Sequence, residues 1–445
     1  MPTVLNGDQE RVFERIIGDV YNTEKSDPLV LYVCGAGGTG KSVLIRHLID
    51  TVGAHLSIVL GTTGVAAKNI GGGTIHSVLN LNPFSEAKDD APIPMAPHML
   101  LLVIDEISMC EGKLLGRVEK RMKQLTGRDS PFGGVTTVFF GDLLQIPPVP
   151  QYDRHGDYLG SDYVFTSPIW KNLVTYEELE IPMRQAEDLE YAEMLKRWRI
   201  GIVTQEDHDF LLSKLRKWKG KTREEIIAEI SYKFLDTPNS MILAYKNDTI
   251  GVLNRKITHH LYPESARFDV SDSTYSLNGK TRSESHHPRF QVAVGSRVIV
   301  NQNYQRTQLV NGELCTVDSI EANDHRVVNM SVTLDSTRET VPFVPIISDV
   351  IRGNGNESWS VKYQILPAYA VTYHKSQGQT LDTVYLDTER KLGCCMFYMG
   401  AARVRSRENL NILSYGAVNC IIPDPKCLDE YVRLRVSVGK PPLPV

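Results

Sequence analysis

Cysteine is sparse in this 445-residue sequence, and none of it is paired by pattern. Cys34, Cys110, Cys315, Cys394, Cys395, Cys420 and Cys427 show no CxxC spacing and no histidine partners at zinc spacing. An odd, scattered set points to free thiols, packed as small core residues in a reducing compartment. Long apolar runs are missing too. The longest near the centre of the first half, Met99–Ile104, falls far below the ~20 residues of a membrane helix. Met1–Arg11 lacks the apolar core of a signal peptide and the Arg-rich look of a transit peptide. These absences argue against a disulfide scaffold and a helical membrane protein. The expectation is an intracellular protein, in a bacterial or host-cell cytoplasm or a nucleus, with no membrane partner. Repeats, low-complexity tracts and any nuclease, primase or zinc module are absent as well. The formal net charge of −4 gives no overall basic excess. Any nucleic-acid contact must therefore be confined to one groove.

Strands and helices alternate instead. At roughly 100–200 residues per domain, the length suits two to four domains. Leu29–Gly35 is a continuous apolar run of the buried parallel-strand kind. Lys41–Val52 has helical spacing, and Leu56–Leu60, Leu100–Ile104 and Val135–Phe140 read as further strands. That alternation predicts an α/β fold, with a parallel sheet covered on both faces. Asn80–His98, with four prolines, breaks the pattern as a small insertion. Glu187 to about Trp218 reads as helical, Ser240–Tyr245 as a strand and Asn247–Leu261 as a helix. Arg267–Tyr363 has short alternating segments between turn residues and reads as a β-rich insert. Parallel-strand character resumes at Ile365–Val371, Thr383–Asp387 and Asn411–Tyr415.

The chemistry starts at Gly35-Ala36-Gly37-Gly38-Thr39-Gly40-Lys41-Ser42, which fits G-x-x-x-x-G-K-[ST] between a strand and a helix. Its glycines let backbone N–H groups turn toward phosphates, and the helix N-terminus adds favourable partial charge. Lys41 would neutralise the β- and γ-phosphates of ATP, and Ser42 would hold Mg²⁺. Asp105-Glu106 ends a predicted strand. One acid suits the Mg²⁺ shell and the other the attacking water. Gln145, in Gly141-Asp142-Leu143-Leu144-Gln145, suits either a γ-phosphate contact or a plain polar turn. Asn6-x-x-Gln9 opens an amphipathic helix, so Gln9 is either a helix cap or an amide reading adenine. Arg184 and Arg403 are candidates for the positive charge that phosphoryl transfer draws from a second lobe; otherwise they are surface residues.

The ordered motifs resemble those of superfamily-one helicases, most closely the Pif-one (petite-integration-frequency) family. They are Leu5-Asn6-Gly7-Asp8-Gln9, the Gly35–Ser42 loop, Thr62–Ser77 (TTGVAAKNIGGGTIHS), Asp105–Met109 (DEISM) and Gly141–Val149 (GDLLQIPPV). Met183-Arg184-Gln185, Tyr373–Leu381 (YHKSQGQTL) and Tyr398–Leu410 (YMGAARVRSRENL) complete the set. The resemblance implies two RecA-like lobes with ATP between them and a small β-barrel-like insertion in the second. The expected divisions are 1–178 for the first lobe, 179–266 with 364–445 for the second, and 267–363 for the insertion. The 80–98 segment would be a strand-separating wedge. The resemblance also implies that Gln9 reads adenine and that Gly378 joins the nucleotide site. Arg184 and Arg403 become arginines of the second lobe. Thr63, Gly64, Thr74, His76, His374 and Lys375 line a single-strand path.

The implied activity is ATP-dependent 5′-to-3′ DNA unwinding on single-stranded, forked or 5′-tailed DNA, by a chain monomeric in isolation. Competing readings are an RNA helicase, a translocase that separates no strands, a P-loop kinase and a silent DNA-binding module. The sixth motif departs from its family, with Ala401-Ala402 where Leu-Ser is usual before the arginine. Tyr304, Tyr373 and Phe397 are stacking or core aromatics. Lys113–Arg128 and Lys214–Arg223 are phosphate contacts or solvated helix faces.

Overall fold

The computed structural model describes residues 4–82, 93–148, 151–152, 158–278, 281–302, 309–347, 351–353, 356–388, 392–413, 420–441 and 443. The first sheet runs, in spatial order, Gly73–Thr74, Ser57–Gly61, Leu101–Asp105, Thr136–Gly141, Val30–Gly35, Thr175–Leu179. All its neighbours are parallel. Every residue of Val30–Gly35 and Thr136–Gly141 is buried, which is why both read as unbroken apolar runs. Leu31 and Val33 pack with Val12 and Ile16 of the helix Gly7–Val20 and with Leu44 and Leu48 of the helix Lys41–Val52. Tyr32 and Cys34 belong to the opposite face, in a core with Leu115, Val118 and Met122 of the helix Gly112–Thr126.

A second parallel sheet runs Ala370–Thr372, Ser240–Ala244, Thr383–Leu386, Leu410–Ile412. Between its strands Ser240–Ala244 and Ala370–Thr372 the chain builds a curled 10-stranded sheet with a long hairpin, Phe268–Asn278 with Thr281–Val292. The core of that insert is Val270, Val298, Val317, Val332, Phe343 and neighbours. The fold is thus two parallel α/β lobes plus a β insertion, as the alternation of elements predicts.

Three expectations need correction. Ile365–Val371 is not one strand. Ile365–Pro367 pairs antiparallel with Arg297–Val300 in the insert, and only Ala370–Thr372 joins the parallel sheet. Two short runs in different sheets look continuous in sequence because both are apolar. Second, the helical stretch 187–218 is two helices, Leu189–Arg199 and Gln205–Arg216. Gly201 at φ +82° turns the chain between them, and Thr204 caps the second with a capping box. The two basic stretches are mostly solvated helix faces, with Lys113, Lys120, Arg128, Arg216, Lys219 and Lys221 exposed and a few side chains tied down. Arg121 is buried on the carbonyls of Leu79 and Asn80, Lys217 donates to Asn411 at 2.8 Å, and Arg223 pairs with Asp387 at 2.7 Å.

The third correction concerns 364–445 as part of the second lobe. The helix Pro425–Ser437 sends Cys427, Tyr431 and Leu434 into the first lobe's core beside Trp170. Trp170 Nε1 donates to Glu430 at 2.7 Å, and Tyr163 Oη donates to Asp424 at 2.8 Å. The chain thus returns to the lobe on which it began.

Of the proline-rich insertion, 83–92 lies outside the described residues. About half of the wedge assignment falls there, and Tyr304 also lies outside the described residues. Tyr373 and Phe397 are core residues, 1% and 0% exposed. If the last helix holds the first lobe, Leu434→Ala should cost that lobe roughly 2–5 kcal/mol, the usual toll of a buried leucine truncation. Denaturant melts followed through Trp170 should show the lower midpoint; an unchanged midpoint would place the helix elsewhere.

Candidate nucleotide site and strand path

Gly35–Ser42 links the end of a buried strand to the start of a helix. Gly40 caps that helix with φ +83°, where a side chain would be strained and would also overlap the Gln9 amide. Gly38 has φ +96°, and a Cβ there would meet the Arg184 Cβ at 2.5 Å. The Gly38 carbonyl accepts from the backbone N–H groups of Met183 at 2.8 Å and Arg184 at 2.9 Å. The loop thus lies directly against the segment leaving the strand Thr175–Leu179.

A cleft of about 340 Å³ opens here. Its walls bring together Gly37, Gly38, Gly40, Lys41, Ser42, Asp105, Glu106, Gln145, Arg184, Gly378 and Arg403, residues spread over the whole sequence. Lys41 Nζ donates to the carbonyls of Gly35 at 2.6 Å and Ala36 at 3.2 Å. Thr39 is buried, and its hydroxyl closes the loop on the Ala36 carbonyl at 3.0 Å. Asp105 and Glu106 are 6% and 8% exposed. Burial, then the neighbouring Glu106, pushes the Asp105 carboxyl up to about 7 against the pull of Lys41. Glu106 takes a left-handed backbone at φ 55°, unusual for a non-glycine residue. Its carboxylate accepts from Gln377 Nε2 across the lobes at 3.1 Å.

Arg184 Nη1 donates to the Ala402 carbonyl at 2.7 Å, and Arg403 Nε to the Met399 carbonyl at 2.8 Å. Neither has a carboxylate within ion-pair distance among the described residues. Burial lowers both guanidinium pKa values, and for Arg184 the adjacent Arg403 adds to it, bringing Arg184 to about 9. Two cations packed together against a loop of N–H donors make a site suited to a polyanion. Buried Gln145 completes the wall, and its Oε1 has no partner among the described residues.

Gln9 behaves as a cap. Its Oε1 accepts the Asn6 N–H at 3.0 Å while Asn6 Oδ1 accepts the Gln9 N–H, a reciprocal capping box. Its Nε2 lies on the carbonyls of Thr39 at 3.4 Å and Gly40 at 3.2 Å. Both ends of the amide are thus engaged, Oε1 in the cap and Nε2 on the phosphate loop. Met183, beside it, lines the cleft.

The candidate strand-path residues sit where parallel strands end, the edge at which such sheets bind ligands. Thr63 caps the helix Gly64–Asn69, whose first residue, Gly64, is buried. Thr74 caps Ile75–Val78, which contains His76. In the second lobe His374 and Lys375 follow Ala370–Thr372. Both are half-buried, and burial lowers the pKa of each. The insert touches both sets. Lys375 Nζ donates to Asn301 at 2.7 Å, and Lys68 pairs with buried Glu313 at 2.5 Å.

Arg405, Gln377, Tyr398 and Arg199 were not singled out by sequence reasoning. Arg405 lines the cleft. Arg199 had a readable signal: it lies one turn after Leu195, on the helical face that buries Met194, Leu195 and Trp198. A charge on an apolar face needs a buried partner, and Asp142 supplies it.

The raised Asp105 carboxyl yields a pH test. The folded chain holds that proton above the unfolded value of 3.8, so this group's stabilising contribution is lost as pH rises from about 4 toward about 7. Glu106→Gln keeps an acceptor for Gln377 and removes the repelling charge. In metal-free protein its stability relative to wild type should rise across that window in denaturant melts. A pH-independent difference would contradict the coupling.

Comparison with known proteins agrees with this geometry. Residues 4–208 match the family profile described as PIF1-like helicase. The chain is 28% identical over 430 residues to the human ATP-dependent DNA helicase PIF1, covering 91% of this chain and 61% of that one. It is 25% identical over 417 residues to Pif1 of Bdellovibrio bacteriovorus, covering 91% and 88%. The chain spans about six-tenths of the length of the vertebrate relatives it matches. Among solved structures, Bacteroides Pif1 with ADP-AlF3 and single-stranded DNA superimposes with a TM-score of 0.72 at 22% identity, over 98% of both chains. Candida albicans Pif1 gives 0.70 at 22%, over 97% of this chain and 100% of that one. The profile thus covers residues 4–208, just under half of the chain, and the chain is similar to these Pif1 helicases along nearly its whole length.

Proposed function

We propose that this chain is an ATP-dependent DNA helicase that moves 5′ to 3′ along single-stranded DNA and unwinds duplex ahead of it. The observation that carries the reading is the convergence of Arg184 and Arg403 on the glycine loop. A P-loop kinase would leave the motifs Tyr373–Leu381 and Tyr398–Leu410 unexplained. The Bacteroides relative holding ADP-AlF3 and single-stranded DNA supports the same use of this cleft and of the strand path. The first lobe takes 1–178 together with the last helix. The second takes 179–266 and the remainder of the chain from Ala370, with the insert running from 267 through Pro367 and 80–98 as the wedge. Among the described residues no helix is long and apolar enough to cross a membrane, and we place the protein inside the cell, acting as a monomer.

In this reading the loop N–H groups and Lys41 hold the β- and γ-phosphates, and Arg184 and Arg403 approach the γ-phosphate from the other lobe. Ser42 and Asp105 form the all-oxygen donor set that Mg²⁺ favours, and they fit it. Bound there, Mg²⁺ would neutralise charge on the phosphates. Glu106 takes the proton of the attacking water, and Gln145 reports the γ-phosphate. Gln9 sets the loop from behind. Thr63, Gly64, Thr74 and His76 in one lobe, and His374 and Lys375 in the other, grip the strand by its backbone, so movement is indifferent to sequence. Closing on ATP and reopening after hydrolysis then shifts one grip relative to the other.

Lys41→Ala and Glu106→Gln should abolish strand-stimulated ATP turnover, and wild-type rates in either would remove them from the site. Arg403→Ala should retain nucleotide binding while turnover falls by ~10³-fold or more. Equal loss of binding and turnover would make Arg403 a structural residue. Matched DNA and RNA forks with either overhang test polarity and substrate: unwinding confined to 5′-tailed DNA is expected, and a strict need for a 3′ tail would refute the polarity.

A further inference from the structure

One buried contact joins the phosphate loop to the second lobe without using either arginine of the cleft. Tyr398 is 3% exposed, and its hydroxyl has two partners in the first lobe. It accepts the Gly37 N–H at 3.2 Å and donates to Asp142 Oδ2 at 3.2 Å. Asp142 is fully buried, and Arg199 holds it through Nε at 3.1 Å and Nη2 at 2.8 Å. Burial alone would raise the Asp142 carboxyl, but the charge and hydrogen bonds of Arg199 keep it below the usual range. Burial and Asp142 raise the Tyr398 phenol, so it keeps its proton for the carboxylate. A hydroxyl that donates to a carboxylate is a stronger acceptor for the loop N–H.

Both ends of this bridge lead to the proposed reaction machinery. Asp142 begins the turn that carries Gln145, whose N–H donates to the Asp142 carbonyl at 3.0 Å. Tyr398 sits on the short helix Met396–Ala401, which ends two residues before Arg403. The Ala402 N–H donates to the Tyr398 carbonyl at 2.9 Å, and the Arg403 N–H to the Gly400 carbonyl at 3.2 Å. The approach of that helix to the loop is close. A Cβ on Gly37 would lie 3.4 Å from both Ala402 Cβ and Arg403 Nη2.

We propose that Tyr398 is a positioning residue: its hydroxyl, clamped between Gly37 and Asp142, sets the distance of Arg403 from the phosphate loop and ties it to the Gln145 turn. The proposal rests on the ATP-hydrolysing reading above. It predicts that loss of the hydroxyl impairs turnover more than ATP binding, because Lys41 and the other loop donors remain.

Tyr398→Phe removes only that oxygen. Tyr431→Phe is the matched control, since it removes a hydroxyl that accepts from Arg199 Nη1 at 2.8 Å and touches no part of the loop. Steady-state ATP hydrolysis with single-stranded DNA, together with thermal melting, reads both. Tyr398→Phe should lower kcat about tenfold, the scale of one lost hydrogen bond to a charged network, with KM for ATP within about twofold of wild type. Tyr431→Phe should keep wild-type kcat whatever its effect on melting. Wild-type kcat in Tyr398→Phe, or an equal fall in both variants, would overturn the proposal. A wild-type chain that hydrolyses no ATP would instead overturn the reading on which it rests.

Discussion

Taking a guanidinium out of water costs several kcal/mol unless a matched charge receives it. This protein buries Arg199 and Arg403 and half-buries Arg184 along the seam of its two parallel lobes. Arg199 has its match in Asp142, reached from the helix Leu189–Arg199. That ion pair pins the second lobe's first helix under the phosphate loop. Tyr431 of the last helix accepts from the same guanidinium and also bonds Glu178 beside the loop's own strand. Among the described residues, Arg184 and Arg403 have only backbone carbonyls as hydrogen-bond partners. The structure thus spends one satisfied charge to hold two unsatisfied ones against a ring of N–H donors. An anion between the lobes is the natural complement of that arrangement.

The insert enters the same economy from the other side. Lys68, on the helix that follows Thr63, reaches Glu313 of the insert, and Lys375 of the second lobe reaches Asn301. Gln379 Nε2 approaches the Gly312 carbonyl at 3.4 Å, and a Cβ on Gly312 would meet Val65 at 2.7 Å. One turn of the insert is therefore in contact with both proposed strand grips. A change in the distance between lobes must be felt there as well.

Much of this was legible in the sequence, for identifiable reasons. Gly35–Ser42 is legible because every residue in it answers a local demand of loop geometry. Asp105 is legible because it ends an apolar run at the binding edge of a parallel sheet, whereas Gln145, four residues past the strand Thr136–Gly141, reads equally as a phosphate contact or a polar turn. Gln9 was readable only halfway: Asn6-x-x-Gln9 is a capping pattern, but its hold on the Gly40 carbonyl needs the folded loop. The last helix could not be assigned from its own pattern, since an apolar face does not say which lobe it covers. The Tyr398 bridge was illegible for a similar reason. A tyrosine among Met396, Phe397 and Met399 looks like core, and its oxygen has meaning only beside Gly37.

Arg184 and Arg403 face the glycine loop across the cleft, and the proposal is that they complete the nucleotide site begun there. A structure of the chain with ADP-aluminium fluoride and single-stranded DNA tests it most directly. The account predicts that the guanidiniums of Arg184 and Arg403 leave backbone carbonyls to contact the fluoride group, with the strand lying against Thr63 and Lys375. Nucleotide bound in the loop with both arginines still on their carbonyls, or DNA bound elsewhere, would contradict it.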